Sequence, residues 1–392
     1  MNANIEELEI TNCFGCAVCA KACPKQIIKT RINEYGFYEP YIISGDTCIR
    51  CGLCADVCSF HNAGLSLDVT RLDSFAGYSN NDSVRQRCST GGVGFELAAT
   101  ALSQGYKVCA VRYNASNNIA EHFVASNIEE LKYSVGSKYI QSDTLAGMMK
   151  MDINDKYILF GTPCHIDSFR RYLRKVKKES NFILVDFFCH GVPSYLLYHK
   201  YLDTKGQQTG KVKSVSWRDK TDGWHDSWVM DIRGEEGRVH AKLSDGDVFL
   251  KTFLSDSCLG KACYDNCKFK YRNSSADIRI GDAWGRLYQK DSKGVNAVIC
   301  FTDKGHNLVK QSNCTLIDHD FDSIAEYQMK HNATRPLIFN LVWRLLKNDA
   351  PLDVVKLNRL LNINSILHIP GRIINSSFAS SPMPSFSLRI NL

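Results

Sequence analysis

The 392-residue sequence predicts two folds in series, a small α+β module over residues 1–62 and a larger α/β domain with a mixed sheet. Three observations predict this. Eight of the seventeen cysteines fall within the first 58 residues, as two copies of one spacing. From residue 75 onward, short apolar runs suited to buried strands alternate with segments of helical periodicity. Between the two textures, residues 63–74 are rich in small and polar residues, lack cysteine and read as a linker.

The bulk composition bounds the class. Apolar residues make up 44% and charged residues 23%, the balance of a soluble globular chain of this length with more than one core. No run of about 18 apolar residues occurs, so no transmembrane helix is expected. The start, MNANIEELEI, has neither the basic head nor the apolar stretch of an export signal, and a cytoplasmic location is expected. Without an export signal, seventeen cysteines point to metal or redox chemistry rather than disulfides.

Within the first module, Cys13, Cys16, Cys19 and Cys23, followed by Pro24, recur at a shift of 35 as Cys48, Cys51, Cys54 and Cys58, followed by Ser59. Three thiolates on a tight loop can each reach a different iron of one cubane, and the fourth, opening the next turn, points to the other cluster. The expected ligand sets are therefore Cys13, Cys16, Cys19 with Cys58, and Cys48, Cys51, Cys54 with Cys23. Gly15 and Gly52 let the backbone wrap closely and offer N–H donors to sulfur. Zinc, which takes pairs of ligands in a tetrahedron, has no use for two such triplets. This segment resembles the bacterial two-cluster ferredoxins over residues 10–60, which implies an α+β ferredoxin-like two-cluster module holding two 4Fe–4S clusters.

The second part is assigned element by element. Residues 107–113 and 122–125 read as strands, and 157–160 and 182–188 as strands buried on both faces. Between the last two, Ile166, Phe169, Leu173 and Val176 recur at helical spacing, which makes a strand–helix–strand unit. Residues 212–218, 226–233 and 238–243 add strands separated by Gly/Asp turns. Residues 320–361 read as helical and run into a C-terminal helical extension and tail over 331–392. After Pro370 the Ser-, Asn- and Pro-rich sequence reads as a flexible tail.

Ser89, Thr90, Gly91 and Gly92 precede a helical segment over 93–102, and such a turn presents N–H groups to a phosphate or carboxylate, or caps the helix. Cys164 follows a buried strand at the start of a helix, where the dipole favours its thiolate. Cys189 ends the next buried strand. If those strands are neighbours, both thiols emerge at the sheet edge where ligands of open α/β sheets collect. Cys258, Cys263 and Cys267 bring the thiols available to a third site to five. His165 and His190 each follow one of these cysteines. Each is a candidate proton relay, weighed against a helix-terminal histidine satisfied by backbone carbonyls. Asp282 and Trp284 are read as structural, a turn-bonding carboxylate and a core anchor.

These landmarks together resemble the beta subunits of coenzyme F420 hydrogenases and dehydrogenases. The matching residues are Ser89 to Val93, Gly136-Ser137-Lys138-Tyr139, Gly161 to Cys164, Cys189 to Ser194, Cys263 to Cys267 and Ala276 to Gly285, which cover residues 75 to about 290 of a domain expected over 75–330. Trp217-Arg218-Asp219-Lys220, with Gly223-Trp224, resembles a bacterial branch often found in polysaccharide-synthesis settings. The resemblance implies FAD beside a 4Fe–4S cluster, ligated by Cys164, Cys189, Cys263 and Cys267. The last pair is spaced x3 here where the family has x2, which keeps Cys258 as an alternative; we expect it to be the spare thiol. The resemblance also implies a pyrophosphate cradle at Ser89, Thr90, Gly91 and Gly92, with Ser137 and Lys138 on phosphate or ribose. A lysine at position 138 near the ring would stabilise the reduced flavin anion.

The expected function is an iron–sulfur flavoprotein oxidoreductase. It would pass electrons between a soluble carrier (a ferredoxin, flavodoxin or deazaflavin), three 4Fe–4S clusters, FAD and an organic two-electron substrate. A non-catalytic electron-transfer subunit and a cluster-based redox sensor are the alternatives. The formal charge of +7 has the sign that attracts nucleic acid. Twelve ligating thiolates on three cluster cores would bring it near neutral, however, and no helix-turn-helix or basic arm is present.

Overall fold

The computed structural model describes residues 3–65 and 72–367. The N-terminal module contains one antiparallel hairpin, β1 (Ile28–Ile32) and β2 (Tyr38–Ile42), and the short helices Val18–Ala22 and Leu53–Asp56. The next strands are β3 (Asp73–Ser79), β4 (Lys107–Asn114), β5 (Ile119–Ala125), β6 (Ser142–Asp143), β7 (Tyr157–Phe160) and β8 (Phe182–Phe187). A separate antiparallel sheet follows, made of β9 (Val212–Arg218), β10 (Trp228–Gly234) and β11 (Arg238–Lys242). The chain then returns through β12 (Ile278–Asp282), β13 (Asn296–Cys300) and β14 (Cys314–Asp318).

The large sheet has nine strands in the order β14-β3-β13-β12-β8-β7-β4-β5-β6. Its centre is parallel, with β12, β8, β7 and β4 aligned, while β13, β3 and β14 run antiparallel, so the sheet is mixed. β7 and β8 are neighbours in register from Tyr157↔Phe182 to Phe160↔Val185. The helix Pro163–Lys175 crosses between them, as its apolar spacing predicts.

Strand alternation decides what covers each face. Tyr157, Leu159, Phe182 and Leu184 point to the face covered by Ile166, Phe169 and Leu173. Ile158, Ile183 and Val185 point to the other, under the helix Val93–Ser103. The N-terminal module is not tethered at a distance. Its Ala17, Val18, Ala22 and Val57 join the first of these cores. The Thr144 hydroxyl donates to Cys16 O at 2.7 Å, and the Gln141 amide to Phe14 O at 3.1 Å.

Beneath the sheet edge, Arg279 and Asp186 form a fully buried bidentate ion pair with both bonds at 2.7 Å. Arg279 also donates to Tyr271 O and Asn273 O, which fixes the loop that follows Cys267.

Two expectations change. Residues 320–361 are not continuously helical: the helices are Phe321–Ile324, Phe339–Lys347 and Val354–Leu367. Tyr327 takes a left-handed backbone, and Pro336 and Pro351 disfavour helix in the residues before them. The helix Tyr195–Thr209, which shows no clean apolar stripe in sequence, is an addition. The tail beyond Pro370, and part of the 63–74 linker, lie outside the described residues.

Candidate metal and cofactor centre

Each cysteine loop of the N-terminal module bends through two left-handed residues at matching positions of the repeat. These are Gly15 and Ala17 in the first copy, and Arg50 and Gly52 in the second. One glycine per copy therefore sits where it is needed, and at different positions of the two loops. The Gly15 N–H donates to Cys13 Sγ at 3.3 Å.

The loops surround two partly open cavities. One is lined by Cys13, Cys16, Cys19 and Cys58. The other is lined by Cys23, Cys48, Cys51 and Cys54. Each takes three cysteines from one copy and one from the other. Cys51 is exposed, so the second cavity is the one nearer solvent. Among the described residues no three Cys, His, Asp or Glu converge on a point that could hold a single metal ion. The sulfurs surround spaces instead.

Cys164, Cys189, Cys263 and Cys267 form a third group. Cys164 feels the charges of Cys189 and Cys263, and Cys189 and Cys263 both feel Cys267. Cys258 stands apart. It is fully buried in an aromatic core with its Sγ 3.7 Å from Thr252 O, and Asp256 and Tyr264, rather than the other described cysteines, act on it electrostatically. Cys164 also feels Cys16, so the third group adjoins the first cavity.

Burial raises the pKa of four of these thiols, Cys16 to about 11, Cys263 to about 12, and Cys19 and Cys164 well above the ordinary value. For Cys164 the expected help of the helix dipole is outweighed by desolvation. Such thiols ionise only beside compensating cations, and this donor set fits iron–sulfur centres.

The loop of Ser89, Thr90, Gly91 and Gly92 lies against the sheet and opens the helix Val93–Ser103. A side chain at Gly91 would meet Gly77 O at 2.6 Å and Asn296 Oδ1 at 2.9 Å, so close packing alone accounts for that glycine. Gly92 has φ +87°. Ser89 Oγ accepts from the Ser137 N–H at 2.8 Å, and the Thr90 hydroxyl donates to Asp282. Both hydroxyls thus anchor the loop.

Around the loop, cations outnumber carboxylates. The partly buried Lys138 donates to Ser134 O at 2.7 Å and Val135 O at 3.0 Å. Burial lowers its pKa to about 7. Lys220, also buried, donates to Arg85 O, Thr90 O and Lys293 O, and burial lowers it to about 8. Neither lysine makes an ion pair among the described residues. Arg218 reaches Asp282 at only 3.4 Å and lies over the rings of Trp228 and Trp284. This surplus positive charge fits an anionic ligand such as a dinucleotide pyrophosphate.

Among the described residues neither histidine makes the carbonyl bonds expected of a helix-terminal residue. His165 is buried against His122 at 5.1 Å, with no hydrogen-bond partner among the described residues on either ring nitrogen. His190 lies 2.8 Å from Asp256 and edge-on to Phe253. Phe253 stacks on Tyr139, and Tyr139 on Trp228. An aromatic column thus runs from beside Cys189 to beside Lys138. Asp282 bonds side chains rather than a turn, taking donors from Thr90, Trp224 and Arg218. Trp284 stacks on Trp224 at 4.9 Å.

Comparison with known proteins places this arrangement. Residues 74–148 match the N-terminal model, and residues 154–317 the C-terminal model, of the coenzyme F420 hydrogenase/dehydrogenase beta subunit. The chain belongs to this family. Residues 12–62 match a 4Fe-4S dicluster domain model, so this family member carries an N-terminal 4Fe–4S ferredoxin-type domain and is an iron–sulfur redox protein. It is similar to a chain of the F420-reducing NiFe hydrogenase complex from Methanosarcina barkeri, solved as a xenon derivative. The two are 14% identical with a TM-score of 0.45, over 79% of this chain and 93% of that one. No curated protein matches the sequence. Among the described residues no helix is long and apolar enough to cross a membrane.

Sequence reasoning missed Ser59, Ser168 and the roles of Lys220 and Arg218. The one available signal was a Trp-Arg-Asp-Lys run with two buriable cations and a single carboxylate.

Proposed function

We propose that the chain is an iron–sulfur flavoprotein oxidoreductase with three 4Fe–4S clusters and FAD. The observation that carries the reading is the pair of four-cysteine cavities with crossed membership. In this reading Cys13, Cys16, Cys19 and Cys58 hold the first cluster, and Cys23, Cys48, Cys51 and Cys54 the second. Cys164, Cys189, Cys263 and Cys267 hold the third, and Cys258 is spare. FAD lies at Ser89, Thr90, Gly91 and Gly92, with Ser137, Lys138 and Lys220 supplying the positive field for its pyrophosphate. The domain division follows: 1–62 for the two-cluster module, 63–74 as linker, 75–330 for the flavin and third cluster, and 331–392 as the C-terminal extension.

The order of the sites supports a relay. The second cavity opens to solvent at Cys51, where a soluble one-electron carrier can approach. The first cavity adjoins Cys164, and the aromatic column leads from the third group towards Lys138. When bound, FAD supplies the exchange of electron pairs with an organic substrate, while clusters pass electrons singly. His190, held by Asp256, is placed to handle a proton beside the third group; His165 has no described partner with which to exchange one.

Anaerobic purification with iron, sulfide and flavin quantified tests the proposal. About twelve irons, twelve sulfides and one flavin per chain are expected. About eight irons would remove the third cluster, and a chain that cannot be reconstituted with flavin would remove the enzyme reading.

A further inference from the structure

The two cysteine copies differ in one respect that the cluster assignment does not use. Cys23 is followed by Pro24, whereas Cys58 is followed by Ser59. Pro24 is exposed beside the second cavity, while Ser59 is fully buried where the first cavity meets the third group. The Ser59 N–H donates to Ser168 Oγ at 3.0 Å, and the Ser59 hydroxyl donates to Cys164 O at 2.9 Å. A proline could make neither bond.

Ser168 is equally buried and also lines the first cavity. Its hydroxyl donates to Ser59 Oγ at 2.8 Å, and it lines the first cavity together with Cys16, towards whose sulfur the same hydroxyl can turn. From Cys58 the route runs through one peptide bond to Ser59, one hydrogen bond to the Cys164 carbonyl, and then Cys164 itself. No through-space gap interrupts it.

We propose that Ser59 and Ser168 form the electronic contact between the first and third sites, with Ser168 also setting the reduction potential of the first. The inference rests on the three-cluster reading above and names positioning residues for it. A hydrogen bond to a ligating sulfur stabilises the more negative, reduced state and so raises the potential. Reduction at the first site would turn the Ser168 hydroxyl from Ser59 Oγ towards Cys16, its proton staying on Ser168 Oγ, and reoxidation, as one electron passes to the oxidised third site, would turn it back. No heavy-atom bond forms or breaks, and the electron comes from a one-electron reductant such as dithionite or a soluble carrier. Two hydroxyls that merely filled a buried space would affect stability and leave the potential alone.

The test uses the full chain, reconstituted anaerobically with iron and sulfide, in wild-type, Ser168→Ala, Ser168→Thr and Ser59→Ala forms. Potentiometric titration followed by electron paramagnetic resonance reads each cluster. Ser168→Ala should shift the reduced-to-oxidised ratio at the first site about tenfold towards oxidised, about 59 mV for one electron. Ser168→Thr should restore it, and the second site should not move. Ser59→Ala should slow transfer from the first site to the third several-fold in stopped-flow mixing with dithionite. About twelve irons bound with unchanged potential in Ser168→Ala would overturn the inference while the three-cluster reading stands. If Ser168→Ala fails to load iron, Ser59→Ala decides, and an unchanged transfer rate overturns the contact. A wild-type chain with about eight irons and an empty third site would overturn both.

Discussion

Flavin binding should weaken as pH rises through neutrality, and Lys138 should be the cause. Its ammonium is enclosed without a carboxylate partner, and burial lowers its pKa to about 7. A pyrophosphate beside it would restore the charged form, so binding takes up a proton wherever free Lys138 is neutral. At pH 9 a lysine of pKa about 7 is about one-hundredth protonated, so affinity should fall by up to about a hundredfold between pH 6 and 9. Lys220, lowered to about 8, adds up to about a further tenfold over the same range. Titration of the flavin-free chain with FAD, followed by flavin fluorescence across this range, measures the slope. Lys138→Met should leave only the shallower limb. Stability should run the other way. The folded pKa of Lys138 lies below the unfolded one, so the flavin-free wild type should gain stability from about pH 7 to 10 relative to Lys138→Met. An affinity flat from pH 6 to 9, or a Lys138→Met profile identical to wild type, would refute the placement of an anion at this lysine.

Four further outcomes are expected. Cys258→Ser should keep the full iron content and cost less than about 1 kcal/mol, since a hydroxyl can replace the thiol opposite Thr252 O. Cys164→Ser or Cys189→Ser should lose about four irons by colorimetric assay. Cys23→Ala should disturb the cluster spectrum of the set with Cys48, Cys51 and Cys54, and loss of the other set would disprove the crossed membership. Arg279→Met should destabilise the fold by about 3–5 kcal/mol in denaturant titration, because it leaves Asp186 charged and buried. A cost under about 1 kcal/mol would show that the pair is not buried as described.

What was legible in the sequence was mostly local. The cysteine spacing sets which sulfurs face which cavity, and β7, its crossover helix and β8 could be read because both periodicities are strong there. The adjacency of Cys164 and Cys189 followed from that unit. Contacts between distant segments were not legible. Nothing in the spacing shows Ser168 meeting Ser59, or Lys220 gathering the carbonyls of Arg85, Thr90 and Lys293. The expected carbonyl partners of His165 and His190 failed for the same reason, since burial of one and the Asp256 contact of the other depend on segments far along the chain. The break in 320–361 was partly visible in Pro336 and Pro351, but the apolar spacing outweighed them.

The crossed membership of the two cavities also bears on how the chain is made. Translation delivers Cys13, Cys16 and Cys19 early, yet the wall they belong to stays open until Cys58 has left the ribosome. The other wall closes at Cys54, only four residues sooner. In the proposed reading neither copy of the repeat supplies a full set of four ligands alone, and a nascent chain has no complete set until both have emerged. A fragment ending at residue 47 should accordingly bind no stable cluster under reconstitution that loads a fragment ending at residue 65, and stable cluster binding by the shorter one would show that a single copy suffices.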